Sequence, residues 1–220
     1  MLFFGSEPPV IIALVVTAIL AFAYHEFAHA IVADRLGDST PRSYGRISLN
    51  PIVHLDLFGV IMLLLTGFGW ASTPVNPYNL RGNRRVSHAL VAVAGPIANL
   101  IMAAIFAFPL RFQLVNVFVE GDFLPSAGQF CTIGMAINLL LFAFNLLPIP
   151  PLDGFTILVG LVPPEMAYRL EPIRQYGQII LLVTIFLLPR IGFPLIEMLI
   201  LPIMSLFAGL LLGGGLTLNF

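Results

Sequence analysis

The chain has 220 residues, 59% of them hydrophobic and 10% charged, with a formal net charge of -1 and a mean hydropathy of +0.99. Soluble domains carry about 25% charged residues, so this composition excludes an ordinary soluble fold and predicts an integral membrane protein. Its ten basic residues are all Arg and are spread over loops, which excludes a nucleic-acid footprint.

Apolar runs near 9–33, 86–110, 130–150, 176–189 and 191–212 reach or approach the roughly 20 residues that cross hydrocarbon as a helix. The predicted fold is therefore all-α and polytopic, with about five spanning helices in a single domain over 1–220, its core at about 9–160 and its C-terminal helices at about 176–212. The run 57–71 is shorter and contains Gly59, Gly67 and Gly69, so it is expected to be re-entrant. The first run is too long for a signal-peptide core and has no basic residue before it, so it is expected to be mature structure.

That first run ends in YHEFAHA, residues 24–30. Helical residues four apart stack on one face, so His25 and His29 can reach one metal ion, while Glu26 stands where a proton acceptor faces the water the metal activates. Charged groups at membrane depth cost about 2.5–3.5 kcal/mol each on insertion scales, and a dication offsets that cost.

Further along, YGRISLN at 44–50 alternates in character and predicts a short membrane-associated β-hairpin, whose Ile47, Ser48, Leu49 and Asn50 would pair with an extended substrate. Arg42 and Arg46 are expected to anchor the interface. His54 and Asp56 offer an accessory ligand or a partner that orients an imidazole, and His88 is expected at the interface. Asn99, near the small residues Gly95 and Ala98, is expected to bond between helices. Cys131 has no partner cysteine and reads as a small apolar residue.

A catalytic zinc usually takes three protein ligands and keeps one open position. Candidates for the third are His54, Asp56, His88, Asp153 and Glu197. Asp153 ends NLLPIPPLDG, residues 145–154, where three prolines break an apolar helix and present one carboxylate from irregular backbone. Asn145, eight residues earlier, offers an amide to a carbonyl under attack.

HEFAH together with NLLPIPPLDG resembles the site-2 protease family of intramembrane zinc metalloproteases. The stretches at 37–59, 68–85 and AGPIANL at 94–100 are similar to its compact bacterial and archaeal branch, so the resemblance covers most of 20–160. It implies one zinc per chain held by His25, His29 and Asp153, Glu26 as general base and Asn145 in the substrate cleft. It also implies cleavage of transmembrane or juxtamembrane segments, a function in regulated intramembrane proteolysis. A metal-ion transporter would spread polar sites along a path, whereas this sequence concentrates them at one depth; a catalytically silent homologue would not keep the full motif set.

The metal site constrains topology, because only a segment 57–71 that returns to its own face leaves HEFAH and Asp153 together. With five crossings, eight of the ten Arg fall on one face, which the positive-inside rule makes cytoplasmic. That arrangement predicts an N-terminus outside, a C-terminus inside and a site toward the cytoplasm, and the resemblance implies a prokaryotic cytoplasmic membrane.

Overall fold

The computed structural model describes residues 7–56, 59 and 72–213. Six principal helices follow in order: α1 (Pro8–Arg35), α2 (Arg84–Arg111), α3 (Ala127–Asn145), α4 (Asp153–Leu161), α5 (Pro164–Ile191) and α6 (Leu195–Leu212). All but α4 are long and apolar enough to cross a membrane.

Local chemistry sets the helix ends. Pro8 and Pro9 open α1, where a missing N–H costs nothing. The Asn83 side chain accepts from the N–H groups of Arg85 and Val86 to start α2, and Ser126 with Gln129 closes a reciprocal capping box on α3. After Asn145 the prolines stop α3, and α4 starts at Asp153 with its carboxylate in the first turn, the helix end that favours negative charge. The long α5 is irregular, passing through 3-10, α and π turns.

α2 is the axis of the bundle, packing against α1, α3, α4 and α6. It runs antiparallel to α1, since Ala33 packs on Val91 while the Asn99 amide donates to the Ala21 carbonyl. It is antiparallel to α3 as well, since Gly134 sits on the Phe106 ring and Asn99 meets Asn138. Ala103, Ala107, Leu110, Met135, Leu139 and Ala143 fill the core between α2 and α3, and Met204 and Ala208 of α6 close it.

α6 runs in the same sense as α2. Arg111, at the end of α2, donates through Nη1 to the carbonyls of Leu210 and Leu211 at 3.1 Å each, and Leu110 and Leu212 share one cluster. The end of α6 therefore lies at the end of the bundle where α1 begins, which corrects the expectation of termini on opposite faces. Counting apolar runs takes every run as a crossing and does not show which end of the bundle α6 reaches.

Among the described residues there is no strand, so the expected β-hairpin at 44–50 is also corrected. A helical turn at Thr40–Ser43 leads into Gly45 at φ 69°, and a 3-10 turn at Pro51–Val53 follows, capped by the Asn50 side chain. Carbonyls that a hairpin would pair are taken by side chains: Arg46 donates to Val53 O at 2.6 Å, and His54 Nε2 donates to Ser48 O at 2.7 Å. Arg42, expected as an anchor, pairs with Asp34 through two bonds of 2.9 and 2.6 Å. The expected re-entrant segment lies outside the described residues except for Gly59, whose N–H donates to Asp56 Oδ1 at 2.8 Å.

Asp38 ties the loop after α1 to the loop before α2. Fully buried, it accepts from Thr40 N and Oγ1 at 3.1 and 2.6 Å, Asn76 N at 2.7 Å and Asn79 Nδ2 at 3.0 Å. Burial alone pushes its pKa up, but these hydrogen bonds outweigh burial and hold it below the ordinary carboxylate value. A depressed folded pKa stabilises above the unfolded value of about 3.9, and that stability is lost as pH falls through the folded pKa. Asp38→Asn is expected to cost about 1.5–3 kcal/mol at pH 7, with the gap to wild type narrowing below about pH 4 in thermal melts of the detergent-solubilised protein.

Candidate metal centre

α1 presents His25 and His29 on one face, and α2 packs Val91, Gly95 and Asn99, also four apart, against them. His25 Nδ1 lies 2.6 Å from Asn99 Oδ1, and His29 Nδ1 lies 2.7 Å from the Val91 carbonyl. The Asn99 orientation is fixed, because its Nδ2 donates to Ala21 O and to Asn138 Oδ1, both at 3.1 Å. Both Nδ1 atoms therefore face acceptors and must carry hydrogen. In the neutral imidazoles both Nε2 atoms are then bare lone pairs.

Those lone pairs converge with a third. His25 Nε2 and His29 Nε2 are 3.0 Å apart, and Asp153 Oδ2 lies 3.1 and 3.3 Å from them. Asp153 Oδ2 is buried without a hydrogen-bond partner. Three acceptors without an intervening cation repel each other, so the arrangement calls for a positive ion. Tetrahedral ligands at about 2.0–2.1 Å from zinc stand roughly 3.3 Å from one another, so spacing and donor chemistry both fit. Among the described residues, His25, His29 and Asp153 are the only such group.

Gly95 makes the approach possible. A Cβ there would stand 2.6 Å from His25 Nε2 and closer still to His29 Nε2, in the space the converging atoms face. Gly154 does the same for the carboxylate, letting α4 pack on the carbonyls of Leu146 and Leu147.

The group opens into a cavity of about 590 Å³, whose walls include Glu26, Ser72, Thr73, Asn145 and, from α5, Leu181 and Ile185. Glu26 is 7% exposed, and its carbonyl accepts from Thr73 Oγ1 at 3.0 Å. Asn145 borders the same space, with its amide donating to Leu141 O at 3.0 Å. Ile47, Ser48, Leu49 and Asn50 do not line it, and Leu49 is exposed. His54 is buried outside the three-residue group, and His88 borders the cavity without joining the group. Glu197 is exposed in the first turn of α6.

Two contributions escaped the sequence reading. Asn99 does bond between helices, but its link to His25 depends on a register no local pattern gives. Asn138, whose Nδ2 donates to Gly134 O at 2.8 Å, was signalled only by being an amide inside an apolar helix.

The chain is 45% identical over 172 residues to a Bacillus subtilis protein named "Putative zinc metalloprotease YwhC", spanning 77% of this chain and 78% of that one. It is 29% identical over 171 residues to "Putative zinc metalloprotease Rip2" of Mycolicibacterium smegmatis, spanning 76% of this chain and 64% of the relative. A Methanocaldococcus jannaschii protein, "Putative zinc metalloprotease MJ0611", is 33% identical over 139 residues, 62% of this chain and 64% of its own. No family model and no solved structure matches.

Gly95→Ala tests the packing directly. Overfilling a tight core costs about 1–3 kcal/mol, and here the added methyl meets ring nitrogens. The variant is expected to melt lower and to lose metal by elemental analysis; full metal content with unchanged melting would contradict this geometry.

Proposed function

This chain belongs to the site-2 protease family of zinc metalloproteases, and we propose that it hydrolyses peptide bonds within or beside the membrane-spanning segments of other proteins. The observation that carries this reading is the convergence of His25 Nε2, His29 Nε2 and Asp153 Oδ2 on one point, beside Glu26, among helices apolar enough to span a bilayer. His25, His29 and Asp153 would hold the zinc. Bound there, zinc makes water acidic enough to ionise near neutral pH and polarises a peptide carbonyl.

The chain's own groups do the rest. Glu26, on the cavity wall next to His25, takes the proton from the attacking water and returns it to the nitrogen of the leaving amine. Asn145 orients the substrate carbonyl at the end of α3. Asn99 and the Val91 carbonyl keep both Nε2 atoms turned to the metal through the whole cycle. Apolar walls from α5 exclude bulk water and suit an apolar substrate segment.

The orientation proposed places the end carrying Arg35, Arg42, Arg81, Arg84 and Arg85 in the cytoplasm. Arg174 supports it, since it borders a cavity with Arg84 and Arg85. His25 lies ten residues before Arg35, about 15 Å of helix rise, so the metal sits below the cytoplasmic surface of a core about 30 Å thick.

Glu26→Gln is expected to keep one zinc per chain and to lower cleavage of a helical membrane substrate by about 10²–10⁴-fold; unchanged cleavage rejects the mechanism. Asn99→Leu removes the acceptor for His25 Nδ1 and is expected to weaken zinc binding about 10–100-fold in chelator competition. Undiminished affinity would make Asn99 a packing residue only.

A further inference from the structure

A second cavity, of about 610 Å³, lies where α2 and α5 begin, against α4. Its walls hold Arg84, Arg85 and Arg174 against a single carboxylate, Glu171. Two of the three cations have partners: Arg84 stacks over Tyr78 at 5.5 Å, and Arg174 donates to Glu171 Oε1 at 2.9 Å and Thr156 Oγ1 at 3.1 Å. Arg85 differs. Its Nη1 is buried with no hydrogen-bond partner, a cationic donor removed from water without an acceptor. An anion beside such a guanidinium offsets the cost of burying its charge.

The position of the cavity identifies the anion. Arg84 is the first residue of α2 and Pro164 the first of α5, so the opening lies at the ends of two candidate spans, the depth of lipid headgroups. Tyr168 on its wall is 84% exposed and Tyr78 76%, aromatic side chains of the kind that settle at that depth. Leu161 and Met166 are exposed nearby and suit acyl chains. A peptide would find no edge to pair with, because Pro77–Asn79, α2, α4 and α5 are all helical there.

We propose that this cavity binds the headgroup phosphate of an anionic phospholipid, with the guanidinium groups of Arg84, Arg85 and Arg174 around it. Basic pockets between spans take such headgroups. The two cavities share His88 and Thr156, so the lipid lies behind the wall that carries Asp153. The site is independent of the zinc chemistry.

Native mass spectrometry of the full-length protein tests it, with added phosphatidylglycerol or phosphatidylcholine. Phosphatidylglycerol is expected to persist as a one-to-one adduct that Arg85→Gln reduces about ten-fold or more, with phosphatidylcholine retention low and unchanged. Zinc content checks that the variant is folded. Should Arg85→Gln not fold, the exposed Arg84→Gln carries the same comparison, with a loss of about five-fold. Equal retention of both lipids, or retention unaffected by either variant, overturns the proposal. So does binding of inorganic phosphate without any lipid adduct, which would mark a soluble ligand. An Arg85→Gln effect confined to acid-flanked peptide substrates, with lipid retention intact, would mark a peptide site and overturn it as well.

Discussion

Three lone pairs pointed at one another are the constraint around which this bundle is organised. His25 Nε2, His29 Nε2 and Asp153 Oδ2 lie 3.0 to 3.3 Å apart in a buried space, which without a cation is repulsive on every side. What holds them there is the opposite face of each imidazole. Asn99 and the Val91 carbonyl both demand hydrogen at Nδ1, and that choice of tautomer bares Nε2. The stabilising bonds and the functional lone pairs are thus two ends of the same rings.

α2 meets this demand with a stripe of three residues, each doing something different. Val91 gives the imidazole its carbonyl, Gly95 gives room by the absence of a side chain, and Asn99 gives its amide oxygen. A helix repeats close to every four residues, so the stripe runs parallel to the pair on α1 and the two faces match along their length. The amide of Asn99 would be costly at membrane depth if unsatisfied, and Ala21 and Asn138 accept from both of its hydrogens. Three helices are tied together by that one side chain.

What was legible in the sequence follows from what is local. The spacing of His25 and His29 needs only helix geometry, and the prolines before Asp153 announce a break whatever surrounds them. The register between α1 and α2 is not local, so the bond from His25 to Asn99 and the need for Gly95 could not be read from either segment. The stretch 44–50 alternates as a strand would, yet Gly45 in the left-handed region and side chains of Arg46 and His54 bonding to carbonyls favour turns. Hydropathy counts apolar runs but not chain direction, so the sense of α6 was decided by packing with α2 and by Arg111 on its last carbonyls.

Cations close to the site raise the question of why none of them neutralises Asp153. Arg174 reaches Thr156, three residues beyond that carboxylate, and a direct ion pair there would compete with a metal. Its guanidinium is instead held by Glu171, by the Thr156 hydroxyl and by the Phe155 ring, 5.2 Å from its centre. A planar fork anchored through Nε and Nη1 has little freedom to turn. Positive charge is therefore gathered at the mouth of the bundle, where it suits an anionic surface, and Asp153 Oδ2 stays free of any hydrogen-bond donor from the chain. The same fold that concentrates arginine at one end keeps it from the carboxylate that completes the metal-binding group.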